Sequence, residues 1–356
     1  MQAPRILVIQ NKRIGDVLIS SVIAANIKKV YPGAHVTYFV YDYCAGVLEG
    51  NPNIDRIWKV NAKKLKKATE LWSVARQVRN QGYDIIFDPY AKFQSRFICL
   101  FSKAKIRIGL KRPGKKYRFK YYTIEQEFLK DTEASCGTAI MDRVNMVANY
   151  FDLKEAVVHP ALYLSKEEKQ TMASIQGPKP VIMFGVLGSA LDKSLPMDYI
   201  VQLIDKVMEQ VPGTVLFNYA PNQKEEALAI YQACKHKDRI DMDLYADSIR
   251  GFVRLMSQCD LLIANEGGSV HIAKALNKPT FTIFSPYIDK KHWASFEDGS
   301  KHHSVHLKEK RPELFEQYDL KERRAIMKDP AALYAEFKPQ LILEELLPYL
   351  EQLKGN

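Results

Sequence analysis

Residues 263 to 286, with the apolar run that leads into them, constrain the fold more tightly than any other stretch of this 356-residue chain. An apolar run, Leu261-Leu262-Ile263-Ala264, ends in a polar, glycine-paired turn at Asn265 to Gly268. An amphipathic segment then runs to Asn277, and a second β-branched run follows from Pro279 to Phe284. Short unbroken apolar runs on either side of a helical period spell strand, turn, helix, strand. Two adjacent glycines at the head of a helix let backbone N–H groups approach a ligand, and the partial positive charge of the helix N-terminus favours a phosphate there. Taken alone, a glycine pair does no more than turn the chain tightly onto its helix.

The same grammar opens the chain. Arg5 to Gln10 is a continuous apolar strand of the kind covered on both faces of a parallel sheet. The turn Asn11-Lys12-Arg13-Ile14-Gly15-Asp16 leads into a helix whose Val17, Leu18, Val22, Ile23 and Ile27 recur at helical spacing until Pro32-Gly33. Strands at His35 to Val40, Ile54 to Val60 and Tyr83 to Asp88 follow, with a basic helix from Lys63 to Asn80 before the last. Such alternation predicts a doubly wound α/β domain that binds ligands outside the carboxyl ends of its strands. The first strand-to-helix turn sits there. It has one glycine and no G-x-G-x-x-G, which sets aside a nicotinamide or flavin enzyme, and no cofactor is expected. What it offers is a carboxylate, Asp16, at the head of a helix. A helix cap, worth about 1 kcal/mol, explains that position as well as chemistry does.

After a helix around Thr138 to Phe151, His159 to Pro180 reads as a linker with its boundary near 175, giving domains 1–175 and 176–356. A second alternation begins with strand Val181 to Phe184, helix Met197 to Val211, strand Thr214 to Asn218, and helices Asn222 to His236 and Ile249 to Gln258. It ends in the strand-turn-helix-strand of the opening. Two α/β domains of similar size leave a cleft between them. On the loop Gly185 to Pro196, Gly188 and Ser189 offer hydrogen-bond donors and Lys193 a point charge for a phosphate. From Tyr287 to Lys328 the chain is highly charged and the regular pattern fades around Trp293, His302, His303 and His306. Leu341, Ile342, Leu346, Leu347, Leu350 and Leu353 then form a helical stripe suited to core packing.

A net charge of +11 predicts an anionic partner. Nine Lys or Arg occur in residues 103 to 122 without an acidic residue, interleaved with Tyr117, Phe119, Tyr121 and Tyr122. Such a stretch suits single-stranded nucleic acid or a phosphorylated lipid headgroup. The five scattered cysteines, with no C-x-x-C pair, read as reduced core residues, and no metal site is expected. No apolar run approaches the roughly 18 residues that span a bilayer, and the apolar run at the N-terminus is short for a signal sequence, so a cytoplasmic protein is expected.

These motifs together resemble the bacterial family 9 glycosyltransferases, the lipopolysaccharide heptosyltransferases. The resemblance rests on Gly15-Asp16-Val17-Leu18 after the first strand, on Tyr83 to Asp88 leading to Ser95 and Arg107-Ile108-Gly109, and on Glu266-Gly267-Gly268-Ser269-Val270-His271-Ile272-Ala273-Lys274-Ala275-Leu276 ending in Lys278-Pro279 and Phe284-Ser285-Pro286. Where family members usually carry Asp-Thr-Gly, this chain has Glu266-Gly267-Gly268. The resemblance implies a GT-B fold, two facing Rossmann-like domains with an inter-domain cleft. It implies an inverting, metal-independent transfer of heptose from ADP-heptose to a lipopolysaccharide or lipooligosaccharide core acceptor. Asp16 matches the catalytic aspartate. Lys193, Ser189, Glu266, Gly267, Gly268, Ser269 and His271 would hold the nucleotide-diphospho-sugar. Lys12, Arg13, Lys111, Arg112, Lys115, Lys116 and Arg118 would hold an anionic lipid-linked acceptor at the inner face of the cytoplasmic membrane, peripherally and with no nucleic acid partner. Two alternatives stand beside this: another nucleotide sugar used in envelope glycan synthesis, and a non-catalytic anion- or nucleic-acid-binding protein built on residues 103 to 122.

Overall fold

The computed structural model describes residues 3–111, 114, 116, 119–172, 174–189, 193–288, 290–316 and 330–354. By their contacts they form two compact units, Met1–Ser165 with Lys291–Ser295, and Lys166–Lys290 with Phe296–Asn356.

The first unit holds β1 (Arg5–Ile9), α1 (Ile14–Val30), β2 (His35–Tyr41), β3 (Arg56–Val60), α2 (Ala68–Gln81), β4 (Ile85–Asp88), α3 (Phe93–Phe101), β5 (Ile106–Lys111), β6 (Ile124–Glu127) and α4 (Gly137–Ala148). Its six strands are parallel in the order β3-β2-β1-β4-β5-β6. The chain winds outward through β2 and β3, then returns to lay β4 against β1, with Ile6 opposite Ile85 and Val8 opposite Phe87. Strand order therefore reverses between the carboxyl ends of β1 and β4. β1 can sit at this centre because Ile6 to Ile9 are apolar on both faces of the pleat. Leu7 and Ile9 pack with Leu71, Val74 and Val78 of α2 and Ile98 of α3.

The basic stretch of residues 103 to 122 contains a strand. In β5, buried Ile108 and Leu110 fix the register while Arg107 reaches carbonyls, Nε to Tyr121 at 3.0 Å and a terminal nitrogen to Ala104 at 2.7 Å. The missing counter-charge comes from outside the stretch: Lys111 Nζ pairs with Glu125 Oε2 at 2.6 Å. Lys116 is exposed. Arg112, Lys115 and Arg118 lie outside the described residues.

The second unit holds α5 (Lys166–Thr171), β7 (Val181–Gly185), α6 (Met197–Gln210), β8 (Thr214–Asn218), α7 (Lys224–Ala233), β9 (Ile240–Asp241), α8 (Ile249–Gln258), β10 (Leu261–Asn265), α9 (Gly268–Ala275), β11 (Thr280–Phe284) and β12 (His302–His306). Its parallel order is β12-β11-β10-β7-β8-β9, so here the reversal lies between β7 and β10. The fading pattern after Tyr287 conceals β12, because three of its five residues are histidines. Each has a structural partner: His302 Nδ1 lies 3.0 Å from Thr280 Oγ1, His303 Nε2 2.9 Å from Glu345 Oε2, and His306 Nε2 3.2 Å from the Ile288 carbonyl. The C-terminal helix Pro339–Lys354 buries Ile342, Leu346 and Leu350 among Leu203, Val207 and Phe281. No described helix is long and apolar enough to cross a membrane, and Cys44, Cys99, Cys136, Cys234 and Cys259 are buried free thiols.

Candidate active site

At the first reversal, Asp16 stands in the opening turn of α1, where a carboxylate is favoured by the helix dipole. It is 4% exposed. Among the described residues its partners are cations, not the backbone donors that a cap would use. Oδ1 takes Lys12 Nζ at 3.2 Å and lies 3.8 Å from the Arg143 guanidinium. Arg143, on α4, is itself buried and held on its other sides by the Ala139 carbonyl at 2.7 Å and Ser20 Oγ at 3.3 Å. Lys12 also lies 5.9 Å from the ring centre of Trp293, so the segment Lys291–Ser295 brings this indole beside Lys12. His292, next to it, meets Thr138 Oγ1 at the head of α4 at 2.7 Å through Nδ1. Arg13 is the exposed N-cap residue of α1.

Gln10 and Asn11, which carry the chain off the end of β1, are fully buried, and their amide atoms have no hydrogen-bond partner among the described residues. Across the reversal, β4 ends in Asp88, also fully buried, which accepts from Tyr122 Oη at 2.7 Å and the Ala91 N–H at 2.8 Å. Burial pushes this carboxyl up to about 6 against the pull of those donors. The Tyr122 ring reaches Asp88 by lying directly over Gly109, where an added Cβ would come within 2.2 Å of it. Asp88 and Gly109, far apart in sequence, therefore serve one buried hydrogen bond. Ser95 also hydrogen-bonds to Asp88 and accepts from the Lys92 N–H at 3.0 Å at the start of α3.

At the second reversal, Gly185 of β7 faces Ala264 of β10. Its Cβ would lie 2.7 Å from that of Ala264, so the two strand ends close up because one residue is glycine. The loop after β7 folds back on itself: the Gly188 N–H donates to Ser194 Oγ at 2.8 Å, Gln223 Nε2 donates to the Gly188 carbonyl at 2.9 Å, and a Gly188 Cβ would sit 2.0 Å from the Lys193 carbonyl. Ser189 and Lys193 thus belong to a tight loop at the carboxyl edge of β7. β10 ends beside it in Asn265, nearly buried, its amide without a partner among the described residues. Glu266 then ties its N–H to Ile283 at 3.0 Å. Gly267 is the N-cap of α9, at φ 157°, and Gly268 and Ser269 begin the helix. The first N–H groups of a helix have no intrahelical partner. His271 closes the first turn, its N–H on the Gly267 carbonyl at 3.4 Å. The sequence reading missed Arg143, Tyr122, Gln10, Asn11 and Asn265. A polar pair directly after the apolar run of β1 was the available signal for Gln10 and Asn11.

A Rossmann-like sheet with its reversal at the carboxyl edge of the strands occurs once in each unit. The description "Glycosyltransferase family 9 (heptosyltransferase)" matches residues 71–322. The chain is 23% identical over 288 residues to lipopolysaccharide heptosyltransferase 1 of Campylobacter coli, covering 79% of this chain and 83% of that protein. To lipooligosaccharide heptosyltransferase 2 of Haemophilus ducreyi it is 24% identical over 294 residues, covering 77% and 81%. Among solved structures, a family 9 glycosyl transferase of Veillonella parvula aligns with a TM-score of 0.71 at 16% identity, over 94% of this chain and 98% of that one. ADP-heptose lps heptosyltransferase II of E. coli aligns with 0.70 at 18% identity, over 98% and 99%. These likenesses show the GT-B fold class. With more than half of the sequence matched by the family description, the chain belongs to glycosyltransferase family 9, the heptosyltransferase family, and is a glycosyltransferase.

Proposed function

We propose that this enzyme transfers heptose from ADP-heptose to a lipopolysaccharide core acceptor with inversion and without a metal, Asp16 acting as general base. The observation that carries the reading is Asp16 itself, a buried carboxylate at a strand-order reversal, held by Lys12 and Arg143 and not engaged in capping its helix. The acceptor hydroxyl oxygen attacks the anomeric carbon while Asp16 takes its proton. The bond from that carbon to the diphosphate oxygen breaks, and its electron pair leaves with ADP. Lys193 and the N–H groups of Gly267, Gly268 and Ser269 offset the charge that develops on the departing diphosphate, with Ser189, Glu266 and His271 bordering the donor. Lys12 and Arg13 meet the anionic acceptor with Lys116 and the basic residues around it. Lys111 contributes less, because Glu125 already neutralises it. The acceptor is lipid-linked, so the enzyme works peripherally at the inner face of the cytoplasmic membrane.

The test is transfer by the purified protein to a truncated lipopolysaccharide acceptor with ADP-, GDP- and UDP-linked sugars, in the presence of EDTA. Turnover with the ADP-heptose donor is expected. Asp16→Asn should lower kcat roughly a hundredfold to ten-thousandfold while calorimetric binding of ADP persists. Turnover with a different nucleotide sugar would favour the second donor reading, for which the Glu266-Gly267-Gly268 turn speaks. No turnover with any donor would sink the proposal.

A further inference from the structure

α2 and α3 pack side by side on the first sheet, and the flank they share is aromatic. Phe93, Phe97 and Phe101 recur every fourth residue along α3 and so stack down one side of it. Their ring centres are 6.3 Å and 4.7 Å apart in turn. Trp72 of α2 joins them, 5.3 Å from Phe97 and 4.6 Å from Phe101. Phe97 also packs against the core cluster of this unit, but core packing does not account for Trp72 and Phe93, because α2 buries a different stripe, Leu71, Val74, Ala75 and Val78. Trp72 is 53% and Phe93 63% exposed. Beside them Thr69, Ser73, Arg76 and Arg79 line, with Trp72 and Phe101, an open cavity of about 580 Å³. The band continues through Arg96, whose guanidinium lies 5.3 Å from the ring centre of Tyr121, to Phe119, which is 51% exposed.

The rim of this band is cationic. Lys66, Lys67, Arg76, Arg79, Lys103 and Lys105 are exposed, and from residue 63 to 105 the one exposed acid is Glu70. We propose that this flank of the first unit is the docking surface for an anionic lipid bilayer. Trp and Phe side chains gain most at the boundary between headgroups and acyl chains, and lysines and arginines around them gain from anionic headgroups. Charge selects this occupant over a second copy of the chain, since a face-to-face dimer would set these cations against one another in a molecule of net charge +11. The inference deepens the reading of a lipid-linked acceptor by naming the surface that brings the enzyme to it.

Sedimentation with sucrose-loaded vesicles of phosphatidylcholine, with and without phosphatidylglycerol, tests it in the absence of nucleotide and acceptor. The wild-type protein should sediment with the anionic vesicles and not with the neutral ones. Trp72→Ser/Phe93→Ser should weaken binding by roughly tenfold, and Arg76→Gln/Arg79→Gln by about fivefold for each cation removed. Both variants should keep the wild-type melting temperature and wild-type transfer to a water-soluble truncated acceptor. Equal sedimentation with neutral and anionic vesicles, binding unchanged in both variants, or a dimer in ultracentrifugation that the aromatic variant abolishes would each overturn the proposal. Loss of transfer in the wild type would instead count against the catalytic reading, leaving the vesicle result to stand by itself.

Discussion

Asp88 and Asp16 are both buried carboxylates at one strand-order reversal, and their partners set them apart. Asp16 has cations for neighbours, whereas Asp88 has the neutral donors Tyr122 and Ala91. With no ion-pair partner among the described residues to offset desolvation, the Asp88 carboxyl is pushed up to about 6. An aspartate in an unfolded chain titrates near ~3.9. Between those values the folded protein holds a proton that the unfolded chain has lost. Its stabilising contribution is complete below about pH 4 and falls away as pH rises through 6, by up to about 3 kcal/mol. Asp88→Asn keeps the shape, and an oxygen for Tyr122, while removing the titration. The melting temperature of the wild type relative to this variant should therefore drop between pH 4.5 and 7. Asp142, also raised to about 6 by burial, is common to both proteins and cancels in the comparison. A difference that stays flat with pH would reject the assignment.

At the scale of elements, glycines decide how closely loops approach the strand ends. Gly188 is the sharpest case, because its Cβ would press on the backbone carbonyl of Lys193 at 2.0 Å, and backbone cannot swing away as a side chain can. Gly188→Ala should open the loop, costing about 1–3 kcal/mol of stability. If Lys193 serves the diphosphate, ADP affinity measured by calorimetry should fall while the Asp16 side of the reaction is untouched. Unchanged affinity would separate Lys193 from the donor. The strands most easily read from sequence were those buried on both faces: His35–Tyr41, Val181–Gly185 and Leu261–Asn265 are near-continuous apolar runs. β5 escaped because its Arg107 and Lys111 belong to the basic stretch, and β12 because three of its five residues are histidines; it is their neighbours in the sheet that make them strands. The site divides the same way. Asp16 and the Glu266-to-Ser269 turn were legible because strand-to-helix turns announce themselves locally. Arg143 and Tyr122 gain their roles only from contacts with residues far along the chain, which spacing does not encode.

In the whole molecule, each unit closes its own core: Leu7, Phe39 and Ile86 belong to a buried cluster of the first, Phe184, Leu203 and Phe281 to one of the second. The three tryptophans, Trp58, Trp72 and Trp293, all belong to the first unit, Trp293 by way of the segment Lys291–Ser295. Tryptophan emission therefore reports the first unit, while far-ultraviolet circular dichroism reports both sheets. If ADP binds at the β7–β10 reversal, it stabilises the second unit, by ~2.7 kcal/mol at 100 times its dissociation constant. Urea denaturation with saturating ADP should accordingly move part of the dichroism transition to higher urea while the emission transition stays in place. Asp16→Asn should leave that shift intact, and Lys193→Ala should diminish it. Should ADP move the emission transition equally, either the nucleotide binds the first unit or the two units unfold as one. The Lys193 variant separates these: a shift that it leaves whole means binding elsewhere, and a shift that it diminishes means one cooperative unit with the donor held where its loop places it.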